Sequence, residues 1–222
     1  MENKPCKDIQ YGIVGADDAA PLAYLMMQER ISLAGRVDPV LYRPFLEDAL
    51  AERGPHIMVV KACGRIVGWS IGVIDSRRYW ISFLGRHPAT AIKVLAGLFL
   101  QRYRNHKAAR ANLTGLARPR SDLERLPLAD YDNWGKDGRH TARLIDTTVL
   151  PSFRGAGLGG NLQVHHLRVL RKLGIRKAEA YVRVDKSGWL QFNARSGFKV
   201  ATHKANSVLI VIDLDQSHGN TD

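Results

Sequence analysis

Apolar and polar positions alternate over Ile9–Val14, the period-two pattern of a short strand. The period then lengthens. Leu22, Leu25, Met26 and Ile31 or Leu33 recur at helical spacing, so Ala19–Leu33 is predicted helical, with Asp17 and Asp18 as capping oxygens and Pro21 in the first turn. Asp38-Pro39 restarts the pattern. Leu41, Phe45, Leu46, Ala49 and Leu50 form one apolar face, which Gly54-Pro55 ends. Two β-rich runs, Ile57–Ala62 and Arg65–Ile74, flank Cys63-Gly64 and predict a tight hairpin. His87-Pro88 leads into a helix over Ala89–Tyr103. Arg104–His140 has scattered Gly and Pro and little period, and loops of such length are often functional. Regular patterning resumes with a strand at Ala142–Leu150, a glycine-rich turn at Pro151–Gly160 and a helix that stops at Gly174. A strand at Ala178–Val184, a short helix at Ser187–Arg195 and strands at Phe198–Thr202 and Ser207–Leu214 complete the chain. Interleaved strands and helices of this kind predict an α/β or α+β domain with helices covering a sheet.

Composition narrows the class. The 222 residues hold 33 Lys+Arg against 21 Asp+Glu, a net charge of +12, which calls for anionic company: nucleic acid, a membrane surface or a polyphosphate ligand. A hydrophobic content of 45% excludes wholesale disorder. Cys6 and Cys63 are isolated in sequence, which excludes a cysteine zinc cluster and a disulfide scaffold and fits a reducing cytoplasm. The N-terminal MENKPCKDIQ has no apolar signal core, and no lipidation motif is visible. The most apolar window, Ala89–Leu100, is about half the ~20 residues that span a bilayer, so no membrane span is expected. The polar tail 215–222 is expected to fray.

The chemistry concentrates at Thr147-Thr148-Val149-Leu150-Pro151-Ser152-Phe153-Arg154-Gly155-Ala156-Gly157-Leu158-Gly159-Gly160. A strand ends at Leu150 and a helix starts near Gly157. The small residues between them let a ligand approach the backbone, and the first helical amides have no internal partner. With the helix dipole they form a site for phosphate oxygens, and Arg154 adds a cation at its mouth. The spacing does not fit a P-loop, because no Lys-Ser/Thr follows, and it matches a dinucleotide fingerprint only in part. Glycines at such a junction can also serve packing alone.

This turn resembles that of the GNAT superfamily of acyl-CoA-dependent N-acyltransferases, whose hallmark is [RQ]-x-x-G-x-[GA] after a strand. Here Arg154-Gly155-Ala156-Gly157-Leu158-Gly159 follows Thr147-Thr148-Val149, and Ser196-Gly197-Phe198 stands where the family carries Gly-Phe. The resemblance is strong over Arg143–Val200 and is one of pattern only over residues 9–75. It implies a mixed central sheet of about six to seven strands flanked by about four to five helices, in a single domain. Residues 76–140 would be an elaboration within that domain. It implies acetyl-CoA as the acyl donor and no metal. Thr147, Thr148 and Val149 would line the pantetheine arm, and Arg154, Gly155, Ala156, Gly157, Leu158, Gly159 and Gly160 the pyrophosphate. The donor would wedge between this strand and Ala178–Val184. Arg168, Arg171 and Lys172 on the following helix would be a phosphate rim or a solvated basic face.

The reaction the resemblance implies is direct attack of an amine on the thioester, which needs a base and gains from an acid. Asp146 is the one acid on Ala142–Leu150 and the candidate base, with Ile145 taking its place if a bulge shifts the register. A strand-edge carboxylate paired with Arg143 is the plainer reading of Asp146. His140 and Asp75 are further base candidates. Many family members carry a tyrosine acid four residues before Gly-Phe, where this chain has Asn193. An amide cannot supply a proton, though it could hydrogen-bond the thiolate. Lys186 replaces an asparagine common in the family. His165 and His166 are adjacent on one helix, so their side chains diverge, and core-edge packing is their expected role.

The acceptor is expected to be a small-molecule primary amine, met by Ala19–Arg53 and the long loop. That loop holds ten Lys/Arg and five Asp/Glu over Gln101–Arg143, and the acidic-aromatic cluster Asp130-Tyr131-Asp132-Asn133-Trp134. The cluster could meet an ammonium group and the basic surroundings a phosphate, as on an amino sugar. Two other readings stand beside this one. A long-chain acyltransferase could take its acyl group from an acidic carrier protein. A nucleic-acid-binding or regulatory module could use the same fold, although Lys and Arg are spread along the chain and no RNA-binding motif is present. A homodimer is compatible with the family.

Overall fold

The computed structural model describes residues 8–29, 39–93, 96, 138–183, 187–204 and 207–215. In chain order they form β1 (Ile9–Ile13), α1 (Ala16–Gln28), α2 (Pro39–Leu50), β2 (Pro55–Ala62), β3 (Arg65–Ile74) and α3 (Ser76–Arg86). Then follow β4 (Thr141–Val149), α4 (Leu158–Lys172), β5 (Lys177–Arg183), α5 (Ser187–Arg195), β6 (Lys199–Lys204) and β7 (Ser207–Asp213). Residues 88–93 are also helical. The seven strands make one sheet in the order β1-β2-β3-β4-β5-β7-β6. Every neighbouring pair is antiparallel except β4 and β5. The α/β architecture is the one that the patterning predicts, and the mixed seven-stranded sheet is the one that the family resemblance implies.

Strand alternation sorts the core into two faces. Ile57 and Val59 of β2, with Trp69, Ile71 and Val73 of β3, pack against Leu22, Met26, Leu41 and Phe45 of α1 and α2. Met58 and Val60 point the other way, onto Leu158 and Leu162 of α4. A register shift between Val60 and Lys61 turns Val67 to that second face as well. Leu167 and Leu170 of α4 and Leu190 of α5 cover the far half of the sheet. The β2–β3 hairpin turns at Cys63 (φ 49°) and Gly64 (φ 74°), the paired positive φ values of a two-residue primed turn.

Four expectations change. Helix α1 starts at Ala16, with Gly15 as its cap residue, and the Asp18 carboxylate accepts from the Gly15 N–H at 3.0 Å. Pro21 lies inside the helix, and the described helix ends at Gln28. Helix α3 occupies a stretch read as elaboration. Its apolar face is Tyr79, Trp80 and Phe83, packed on Phe45 and on one another and set among Arg77, Arg78 and Arg86. A partner distant in sequence holds it: the buried Asp48 of α2 accepts from Arg86 at 2.7 Å and lies 3.4 Å from His87 and 3.6 Å from Arg53. Burial alone would raise the Asp48 carboxyl, but Arg86 and His87 hold it below its ordinary value. Cys63 is disulfide-bonded, against the expectation of isolated cysteines. Pairing of Ile9 with Ala62, and the Cys63 N–H bond to Asp8 O, bring the start of β1 beside the hairpin tip. The other cysteine in the sequence, Cys6, lies outside the described residues, as do most of the helix expected over Ala89–Tyr103 and nearly all of the long loop with its acidic-aromatic cluster.

Candidate functional site

The sheet opens at its one parallel step. Strands β4 and β5 pair from Thr141 with Lys177 to Leu144 with Ala180, and no further. Arg143 closes the paired half by donating to Glu179 at 2.7 Å, so it does not serve Asp146. On the other side β4 stays paired with β3 up to Val149, but the register skips Ile145, between Ile71 opposite Asp146 and Gly72 opposite Leu144. One extra residue on one strand is a β-bulge, which bends that strand and raises its twist. The parting from β5 begins at the bulge. From Ile145 onward no strand among the described residues pairs with the side of β4 that faced β5, so that edge is open.

Antiparallel geometry fixes which groups line that edge. The Leu150 N–H donates to Val67 O at 2.8 Å, so Leu150, Thr148 and Asp146 direct their backbone groups at β3. Thr147 and Val149 direct theirs outward. The outward N–H groups of Thr147 and Val149 and the Thr147 C=O suit an extended ligand carrying amides, which can add as a further strand, while the Val149 C=O accepts from the Arg154 side chain.

The edge runs into the glycine turn. Gly155 (φ 86°) and Gly157 (φ 74°) have left-handed backbones, which glycine adopts at least cost. A Cβ built on either would meet nothing within 4 Å, so the turn is open on that side. The first hydrogen bond of α4 runs from Asn161 N to Gly157 O. The N–H groups of Leu158, Gly159 and Gly160 therefore have no partner within the helix, and the helix dipole is positive there. Unpartnered amides at a positive helix end can take an anion of the size of a diphosphate. Gly160 has a second duty: a Cβ there would come within 2.9 Å of the Phe192 ring, so its smallness lets α5 pack on α4. The Arg154 Nε donates to Val149 O at 2.8 Å, which keeps the guanidinium at the junction of strand edge and turn.

Asp146 lies on the face of β4 that looks toward α1 and α2. Its carboxylate accepts from the Trp69 indole N–H at 2.9 Å. Burial raises its pKa from 3.8 to about 6, with the negative charge of Glu29 adding to the rise and bonds from Thr148 and Trp69 opposing it. A carboxylate that titrates near neutrality at the mouth of an opened sheet can accept a proton from a nucleophile. Trp69, fully buried, is a site residue that the sequence reading passed over. Its signal is that a buried indole N–H needs an acceptor, and register sets Trp69 beside Thr148 and next to Asp146.

Other candidates have structural partners. Asn193 is buried: its Oδ1 accepts from Gln163 of α4 at 2.8 Å, and its Nδ2 donates to Trp189 O at 2.7 Å. Both halves of the amide thus tie α5 to α4 and to itself. Asp75 caps α3, accepting from the Arg78 N–H at 3.4 Å, and His140 Nδ1 lies 3.1 Å from Gly174 O. His165 stacks on Tyr11 with centroids 4.6 Å apart. Arg168, Arg171 and Lys172 line an open groove with His165 and Val169. Among the described residues no helix is long and apolar enough to cross a membrane.

No protein-family model matches the sequence, and no curated protein is a significant match. Solved structures do match. PaiA N-acetyltransferase from Thermoplasma acidophilum, solved with coenzyme A, superposes with a TM-score of 0.55 at 11% identity, covering 93% of this chain and 99% of that one. The yncA protein from Salmonella typhimurium, solved with its cofactor acetyl-CoA, gives 0.56 at 13% identity over 97% and 99%. A spermidine N-acetyltransferase SpeG chimera from Vibrio cholerae and hSSAT gives 0.56 at 9% identity over 96% and 99%. Further matches carry the GNAT-family description. With its mixed seven-stranded sheet, opened beside a glycine turn, the chain has the fold of the GNAT N-acetyltransferases.

Proposed function

We propose that the protein is an acyl-CoA-dependent N-acyltransferase that moves an acetyl group from acetyl-CoA to a primary amine of a small molecule. One observation carries this reading. The free edge of β4, with Thr147 and Val149 facing outward, runs directly into a turn whose Leu158, Gly159 and Gly160 amides lack helical partners. Such a site offers amide pairing at one end and a diphosphate cradle at the other, the two polar parts of CoA in their order along the molecule. Arg154 supplies positive charge at the join.

In this reading Asp146 is the general base. An alkylammonium acceptor must lose a proton before its nitrogen can attack the thioester carbonyl, and a carboxylate near pKa 6 is ionised at neutral pH yet basic enough to help. The Trp69 indole holds the carboxylate in place. The nitrogen lone pair forms the new C–N bond, the tetrahedral intermediate collapses, and the C–S bond breaks to give the CoA thiolate. Asn193 is a packing residue here, so the thiolate takes its proton from the protonated nitrogen of the collapsing intermediate or from water.

The test is a free-thiol assay of acetyl-CoA against a panel of amines, amino sugars and amino acids. Acceptor-dependent thiol release supports the reading. No release with any acceptor, together with no thermal shift at millimolar acetyl-CoA, overturns it. Replacing acetyl-CoA with long-chain acyl donors on a carrier protein tests the donor class in the same assay.

A further inference from the structure

A buried polar chain crosses the sheet behind the candidate site, and none of its imidazoles takes part in the proposed chemistry. His166 of α4 is fully buried. Its Nδ1 is 2.8 Å from Ser70 Oγ of β3, which is 3.0 Å from Thr147 Oγ1 of β4. Its Nε2 is 3.4 Å from His56 Nδ1 of β2, and the two rings stack with centroids 5.3 Å apart. The ring has a built seat. A Cβ on Gly72 would come within 3.1 Å of His166 Cε1 and 3.2 Å of Nε2, so Gly72 is bare where the imidazole lies. Gly72 is also the residue at which the β3–β4 register skips. The ring therefore covers the bulge where β4 leaves β5.

The chain is uncharged. Burial pushes His166 down to about 3, and the neighbouring His56 adds to this. Burial also lowers His56, against the pull of Glu52. With two neutral imidazoles and two hydroxyls every member finds a partner, whichever way the donors run. Through Ser70 of β3, His166 thus links the helix that carries the Leu158–Gly160 amides, about two turns away, to the strand that carries the Thr147 edge.

We propose, resting on the donor reading of that turn and edge, that His166 is a positioning residue for the acyl donor. Through Ser70 it clamps the diphosphate-binding helix to the pantetheine-binding strand, so the two ends of the site keep one spacing.

Three variants and two readouts test it. His166→Leu removes both bonds at similar volume, His166→Asn keeps a polar group near the Nδ1 position, and Ser70→Ala removes the link with the smallest change. Hydrogen exchange of the Asp146, Thr148 and Leu150 amides is read without ligand, and acetyl-CoA Kd, KM and kcat with it. The expected result for His166→Leu is faster exchange and a donor Kd and KM each raised about tenfold, with kcat at saturating donor changed less than about threefold. His166→Asn is expected to recover most of both. Wild-type exchange and donor affinity in His166→Leu overturn the clamp, as does an Asn variant as impaired as the Leu variant. Should His166→Leu fail to fold, Ser70→Ala decides: raised exchange and KM support the clamp, and wild-type values overturn it. A wild-type chain that binds no CoA overturns the donor reading by itself, while the exchange readout still decides whether His166 fixes the strand edge.

Discussion

Asp146 is the residue on which the proposed chemistry turns, and its surroundings make two separable predictions. The first concerns activity. Asp146→Asn keeps an oxygen for the Trp69 indole but removes the base, so kcat is expected to fall by about 10²–10⁴ in steady-state assays. Wild-type kcat should rise with pH through about 6 and then level, and the variant should lose that step. The second concerns stability. The carboxyl titrates near 6 when folded and near 3.8 when exposed, so the folded state disfavours the charge. Its contribution is most favourable below pH 4 and is lost as pH rises through 6. Thermal melts should therefore show Asp146→Asn level with wild type at pH 4 and more stable above pH 6, by roughly 1–3 kcal/mol. Gain of stability with loss of activity is the mark of a strained functional group. Identity and place of Asp146 were legible in the sequence. Its raised pKa was not, because burial, its main cause, and the Glu29 charge at the end of α1 are set by the folded chain and not by local pattern.

Elements show the same division. The hairpin, the glycine turn and the order of strands could be read from local pattern, because turn chemistry and period are local properties. The opening between β4 and β5 and the bulge on β4 were expected only from the family resemblance, not from local pattern, since both depend on the register of Leu144 and Asp146 against Gly72 and Ile71. Helix α3 was missed for a related reason: its buried face is short, and its anchor, Asp48, sits on α2. Asp48→Ala leaves Arg86 without its buried partner and is expected to cost about 3 kcal/mol in denaturant melts. Because Asp48 is held below its ordinary value, the pair stabilises at neutral pH and its contribution fades as pH falls through the folded pKa. Gly160→Ala tests the seam between α4 and α5. The added methyl meets Phe192 at 2.9 Å and is expected to cost about 1–3 kcal/mol, read by the same melts.

At the scale of the whole molecule, the net charge of +12 first suggested several kinds of anionic partner. The glycine turn gives part of that charge one proposed use, beside CoA phosphates. If nucleic acid were the partner instead, binding would weaken steeply and linearly in log–log terms as salt is raised. A CoA site built from a few turn amides and a short cradle should depend on salt far less. The groove lined by Arg168, Arg171 and Lys172 lies on the body of the helix whose first amides form the cradle, so its charges can be removed while Gly155 and Gly157 are left in place. The central claim is that the open β4 edge and the glycine turn form one acyl-CoA site. Calorimetric titration of acetyl-CoA into the wild-type chain and Gly157→Glu tests it most directly. Saturable one-site binding is expected for wild type and none for the variant, whose carboxylate stands at the mouth of the cradle. Absence of binding to wild type at millimolar acetyl-CoA, or equal binding by both chains, would contradict it.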